Sequence, residues 1–265
     1  MSKKALMIVS FGTSYEKGMA AISNIEKICR EAFPDYDFFR AFTSGMIIRK
    51  LSRQGVDIHN PESLMDQLAG EGYEEVLCQP THIISGLEYN KILDILKRYA
   101  ARIPRIRMGK PLLTSEEDYL KTADIVMSEL PRQLKTDEAL ILMGHGTEHK
   151  ADNIYTLFEH VLRDVGYANV FVGTVEGFLN VDYLIRRLKR RAFRKIYAMP
   201  LMVVAGDHAC NDLAGEEKDT WNSKLKDAGY ETELILKGLG EIDLIGQIYA
   251  DHAREAERIL PKEEE

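Results

Sequence analysis

The chain has 265 residues, 45% of them hydrophobic and 29% charged, with a formal net charge of −7. These values are those of a folded, water-soluble protein and exclude disordered, collagen-like and disulfide-dense classes. The acidic balance argues against whole-molecule binding to nucleic acid or anionic lipid, which depends on a basic, counterion-releasing surface, and the length favours two domains.

Along the chain, the run Ala5 to Val9 follows Lys3 and Lys4. It is too short for a secretory core and has no small-residue cleavage site, so it predicts a first strand. No stretch approaches the roughly 18 apolar residues that span a bilayer, and a cytoplasmic location is expected, with no membrane partner. Cys29, Cys78 and Cys210 are dispersed and lack CxxC spacing, which suggests neither a disulfide framework nor a thiolate zinc site. Beyond the turn Thr43-Ser44-Gly45, Arg49, Lys50 and Arg53 stand where an acidic small molecule could meet them. Leu64 to Pro80 reads as amphipathic helix, turn and buried strand, and the segment His82 to Glu88 closes on small residues. A helical stretch, Tyr119 to Leu130, leads through Pro131 into a polar run, and the domain boundary is expected there, giving 1–130 and 131–265. A strand over Ala139 to Met143 then runs into Gly144-His145-Gly146. His160, with Leu157 and Leu162 on a predicted helix, is assigned to packing. A strand over Asn169 to Thr174 precedes Val175-Glu176-Gly177. The basic run Arg186 to Lys195 keeps Leu184, Leu188 and Phe193 on one inward face, so its charges read as a solvated helix surface. Last comes an expected strand, Leu201 to Val204, before Gly206-Asp207-His208.

Several of these segments are said twice. Ala5-Leu-Met-Ile-Val-Ser-Phe-Gly-Thr13 aligns with Ala139-Leu-Ile-Leu-Met-Gly-His-Gly-Thr147 at an offset of 134, and Leu64 to Pro80 aligns with Leu184 to Pro200 at an offset of 120. Continuous apolar runs alternating with helical patterns indicate parallel strands joined by right-handed crossovers. The expected fold is therefore α/β: two similar, doubly wound parallel-sheet half-domains facing each other across a cleft. In open parallel sheets ligands bind beyond the carboxyl ends of the strands. The turns at 10–14, 81–90, 144–149 and 205–211 all fall at such ends.

His145 and His208, on two of these turns, make a reasonable site for Co²⁺, Fe²⁺, Ni²⁺ or Zn²⁺. Glu176, on another strand end, offers a carboxylate as third ligand. The corresponding turn of the first half carries Phe11 where the second carries His145, so the backbone turn does not itself demand histidine. Glu88 stands on a cleft-facing turn and could take up protons. There is no GxxxxGK[ST] loop, no GxGxxG after the first strand, no GxSxG and no HExxH, which removes most support for nucleotide hydrolysis, dinucleotide redox and serine-esterase chemistry.

Taken together, Ser10-Phe-Gly-Thr-Ser14, Phe39-Arg-Ala-Phe-Thr-Ser-Gly-Met-Ile-Ile-Arg-Lys-Leu51, Met143-Gly-His-Gly146, Val175-Glu176 and Met199-Pro-Leu-Met-Val-Val-Ala-Gly-Asp-His-Ala209 resemble the class II tetrapyrrole chelatases. Within them the likeness is to the sirohydrochlorin cobaltochelatases of the anaerobic cobalamin pathway, over nearly the whole chain. That resemblance implies a lyase that inserts Co²⁺ into sirohydrochlorin, with the ion as substrate and no organic cofactor. It implies metal ligands at His145, Glu176 and His208, histidine-assisted removal of pyrrole protons with Glu88 as the acid, and substrate contacts at Ser10, Phe11, Gly12, Thr13, Ser44 and His82. Fe²⁺ insertion for sirohaem, a non-catalytic tetrapyrrole or metal carrier, and a sensor of a small acidic ligand are the alternatives. A homo-oligomeric assembly is compatible with the sequence.

Overall fold

A run of apolar residues without polar alternation makes a strand buried on both faces. The computed structural model describes residues 2–206, 209–215 and 217–260, and it places both copies of the repeated run inside parallel sheets. The chain divides into two compact units, one holding residues up to Thr114 together with Gly240 onward, the other Ser115–Leu239.

In the first unit β1 (Lys4–Ser10), α1 (Glu16–Ala32), β2 (Asp37–Phe42), α2 (Gly45–Ser52), α3 (Pro61–Gly70), β3 (Glu75–Pro80), α4 (Leu87–Tyr99) and β4 (Arg105–Met108) follow one another. Their strands lie in the order β2-β1-β3-β4, all parallel. Alternate residues of β1 serve opposite faces: Ala5, Met7 and Val9 share a core with Leu64, Met65 and Leu68 of α3 and Ile92 and Leu96 of α4. Leu6 and Ile8 are fully buried on the other face. Each such aliphatic side chain contributes roughly 1.5–3 kcal/mol by leaving water.

The second unit repeats the plan. It begins with α5 (Glu116–Ser128), continues through β5 (Glu138–Gly144), α6 (Asn153–Asp164), β6 (Val170–Thr174), α7 (Val181–Leu188), β7 (Lys195–Pro200), α8 (Trp221–Asp227) and β8 (Glu231–Leu234), and orders its parallel strands β6-β5-β7-β8. The duplicated order, with β1 and β5 in equivalent interior places, bears out the repeat. Ala139, Ile141 and Met143 pack with Leu184 and Leu188 of α7 and Trp221 and Leu225 of α8.

After β8 the chain returns to the first unit as α9 (Asp243–Arg254) and β9 (Glu257–Arg258), the latter antiparallel on the β4 edge. The Asn24 amide donates to Gly240 O at 3.1 Å, and the Tyr249 hydroxyl donates to the carbonyls of Thr81 and His82, each at 3.1 Å. The division therefore falls at 114/115 and again at 239/240, not at the single cut near 130 that the sequence suggests. The helix α5 opens on a reciprocal cap between Ser115 and Asp118 and packs against α6 through Tyr119 and Phe158, ring centroids 6.1 Å apart. It thus belongs to the second unit. A further difference concerns residues 201–204, expected as a strand. The strand β7 ends at Pro200, and the apolar run beyond it is a loop, held by Leu201 N donating to Met143 O and Leu239 N to Met202 O, both at 2.8 Å. Cys29 and Cys78 are buried free thiols. No helix among the described residues is long and apolar enough to cross a membrane.

Candidate metal-binding site

Every residue of β5 is buried, so His145 is the first side chain of this segment to leave the sheet, with 43% of its side chain exposed. Glycine is needed on both sides of it. A Cβ on Gly144 would stand 2.9 Å from Cζ of Tyr155, within its ring, and one on Gly146, whose φ is +84°, would drive into the Glu176 carbonyl. Beyond the strands the ladder continues: Val175 N donates to Gly144 O at 3.0 Å and Glu176 N to His145 O at 2.9 Å. The turn after β5 and the turn after β6 are thereby locked in register.

This register brings two expected ligands together. His145 Nδ1 lies 4.0 Å from Glu176 Oε2 and 3.0 Å from Gly146 O. A carbonyl oxygen can only accept, so Nδ1 is the donor in this contact. Histidines that bind metals are commonly oriented in this way, with the second ring nitrogen donating to a carbonyl. Glu176 is 59% exposed on its side chain and is followed by Gly177 at φ +95°. Phe178, 71% exposed, comes next and lies against Tyr183, centroids 4.7 Å apart. Asn180 then caps α7 by accepting from Tyr183 N at 3.0 Å.

His208, the third expected ligand, lies outside the described residues, as does Asp207. Among the described residues no group of three His, Cys, Asp or Glu side chains is assembled to hold a metal ion; the described part of the site is the pair His145 and Glu176. Nearby His149 has a local structural task, its Nδ1 accepting from Ala151 N at 3.2 Å to cap a short helical turn at Lys150–Asp152. The Asp152 carboxylate accepts from Thr147 N at 3.1 Å, and burial raises its pKa against that bond. Tyr155, on the first turn of α6, is buried with Phe158 and Leu162, its ring against Gly144.

The remaining candidates sit at the carboxyl ends of β1, β2 and β3 in the first unit. Ser10 is buried and accepts from the Thr81 hydroxyl at 2.8 Å, tying β1 to β3. Phe11 is 52% exposed. Gly12 has φ +99°, and a Cβ there would lie 2.6 Å from the Phe42 ring. Thr13 is buried, its hydroxyl accepting from Tyr15 N at 3.1 Å. Ser44 caps α2 by accepting from Ile47 N at 3.4 Å, and its own N–H donates to Phe11 O at 3.1 Å. The His82 carbonyl is held by Leu112 N at 2.9 Å, while both its ring nitrogens are buried without a hydrogen-bond partner. Burial pushes its pKa down to about 4, opposed by the nearby Glu88 carboxylate. Glu88 itself stands on the first turn of α4, paired with Lys91 at 2.6 Å.

Two parallel α/β units of like strand order, with a histidine and a carboxylate at strand ends, define the chelatase type of fold. Superposition agrees: SirB from Bacillus subtilis with Fe³⁺ matches at a TM-score of 0.69 with 17% identity, over 96% of this chain and 95% of that one. The family model described as "Cobalt chelatase (CbiK)" matches residues 4–258, and the chain belongs to that family. It is 40% identical to the sirohydrochlorin cobaltochelatase of Salmonella typhimurium, over 96% of each chain. It is 30% identical to the sirohydrochlorin cobaltochelatase CbiKC of Nitratidesulfovibrio vulgaris, over 95% of this chain and 90% of that protein.

Proposed function

We propose that this chain inserts Co²⁺ into sirohydrochlorin in the cytoplasm. The observation that carries the reading is the pairing of two strand-end side chains: the His145 imidazole, held by its Nδ1 against Gly146 O, has the Glu176 carboxylate 4.0 Å from the same ring. Imidazole and carboxylate suit a first-row ion that must be released to the macrocycle. Membership of the cobalt chelatase family selects cobalt, and the named activity of the Salmonella and Nitratidesulfovibrio relatives selects sirohydrochlorin.

Insertion replaces two pyrrole N–H protons with the ion, so two protons must leave for each Co²⁺ that enters. We assign ion delivery to His145 and Glu176, with His208 as third ligand. A histidine accepts a pyrrole proton, since a neutral imidazole is competent both as ligand and as base near pH 7, and Glu88 takes protons onward. The exposed ring of Phe178, two residues beyond Glu176, offers apolar surface suited to a flat macrocycle. The test is an absorbance time course of sirohydrochlorin with Co²⁺, with and without the protein. Acceleration at catalytic protein concentration is expected; a rate equal to the buffer control would contradict the enzyme and leave a carrier.

A further inference from the structure

We propose that the outward face of α2 in the first unit binds the carboxylate rim of the tetrapyrrole, with Arg49, Lys50 and Arg53 as the side chains that recognise it; this rests on the chain acting on sirohydrochlorin. The internal repeat isolates α2. Thr43 N donates to Ser10 O at 2.9 Å and Ser44 N to Phe11 O at 3.1 Å, as Val175 N does to Gly144 O and Glu176 N to His145 O in the second unit. Ser44 therefore stands where Glu176 stands. After Glu176 the chain passes to α7 with no helix between, whereas after Ser44 it forms α2 before reaching α3, the counterpart of α7. A helix that the shared architecture does without has another task.

The residues of α2 indicate which task. Leu51 is buried and Ile47 and Ile48 are half-buried, and they fix the inner face. Met46, Arg49, Lys50 and Arg53 recur at helical spacing on the opposite face, all of them exposed. Like charges three and four residues apart on a helix repel, and a solvated face ordinarily relieves that by mixing signs. Here α2 contains no acid, and among the described residues none of the three cations pairs with a carboxylate. In a chain of net charge −7 this face is a local reversal of sign, which favours an anion. Two of the cations lie back along the structure: Arg49 Nη1 stands 3.4 Å from the place a Cβ on Gly45 would take, and Lys50 Nζ lies 5.6 Å from the centroid of the Tyr15 ring. Met46 is 73% exposed, and Phe11 and Tyr15, on the segment bonded to Ser44, are 52% and 41% exposed. Cations beside exposed apolar side chains match a flat macrocycle edged with acetate and propionate groups, arginine offering a carboxylate paired N–H donors and lysine a point charge.

The experiment titrates metal-free sirohydrochlorin into the full chain without Co²⁺, followed by absorbance, for wild type, the neutral triple variant Arg49→Gln, Lys50→Gln, Arg53→Gln and the charge-keeping triple Arg49→Lys, Lys50→Arg, Arg53→Lys. The neutral triple is expected to bind about 10- to 100-fold more weakly, with the loss reappearing in KM for sirohydrochlorin, while its Co²⁺ affinity without tetrapyrrole stays that of wild type. The charge-keeping triple should recover most of the affinity; an equal loss in both variants would overturn the proposal. Cations that merely suit the carbonyl end of α2 would, when neutralised, lower the melting temperature and leave tetrapyrrole affinity alone. Equal sirohydrochlorin affinity in wild type and the neutral triple therefore overturns the proposal, and if that variant alone loses binding to phosphatidylglycerol vesicles the face belongs to a membrane. Salt tests the wild type without any variant: affinity should fall as NaCl is raised from about 0.05 to about 0.5 M, and affinity independent of salt would overturn the proposal. If wild type itself does not bind sirohydrochlorin, the substrate reading fails; if it binds and the neutral triple matches it, the failure is confined to α2.

Discussion

The turn Ser10-Phe11-Gly12-Thr13 and the turn Gly144-His145-Gly146-Thr147 are the same backbone device used twice. Both follow an interior strand, second in the order of its sheet, and both put glycine at a positive φ, +99° at Gly12 and +84° at Gly146. Both send the preceding side chain, Phe11 or His145, out of the buried strand. The differences are two. Where the first turn has Ser10 reaching across to Thr81, the second has Gly144 against the Tyr155 ring; where the first projects an apolar ring, the second projects an imidazole oriented by Gly146 O. The conformation belongs to the architecture, and the metal role we propose belongs to those two exchanges.

The comparison breaks first at the imidazole. His145→Ala should lower the insertion rate by at least about 100-fold, the scale of a lost acid–base or ligand group, with the melting temperature held, because the side chain is partly exposed; an unchanged rate would remove His145 from the site. Phe11→Ala, its counterpart, should keep Co²⁺ affinity intact in a direct titration. The two glycines sharpen the point. Gly12→Ala and Gly146→Ala both force a side chain into a left-handed conformation and a close contact, each costing about 1–3 kcal/mol in urea unfolding. Only Gly146→Ala should also weaken Co²⁺ binding, since its contact is with the backbone of Glu176; equal metal affinities would show the two turns to be equivalent. Glu176→Gln keeps shape and removes charge. Being exposed, it should leave stability alone and weaken Co²⁺ about tenfold, as read by competition with a chromophoric chelator.

The smallest effect is a pH dependence in the first unit. The His82 pKa falls from 6.5 to about 4 on folding because burial penalises the charged ring. Between those values the unfolded chain binds the extra proton, so stability is full above about pH 6.5 and declines as pH falls toward 4. His82→Asn should therefore compare more favourably with wild type at pH 5 than at pH 7 in urea midpoints. A constant difference would mean that His82 titrates normally.

Much of this was legible in the residues, and the parts that were not share a cause. Continuous apolar runs mark β1 and β5 because a parallel strand buried on both faces admits little else. Glycines beside His145 and Glu176 advertise tight turns at strand ends. The return of α9 to α1 and the docking of α5 on α6 were not legible, because amphipathic helices declare that they bury a face without declaring against what; Pro131 looked like a boundary and merely follows a helix end. Leu201 to Val204 has strand composition, yet its partners are single backbone bonds to Met143 and Leu239.

The central claim, that the His145 imidazole is a ligand of the delivered ion, is tested most directly by X-ray absorption at the cobalt edge on Co²⁺-loaded wild type and His145→Ala, both without tetrapyrrole. The account predicts imidazole scattering in the wild type that is reduced by one ring in the variant. Identical scattering from the two proteins would contradict it.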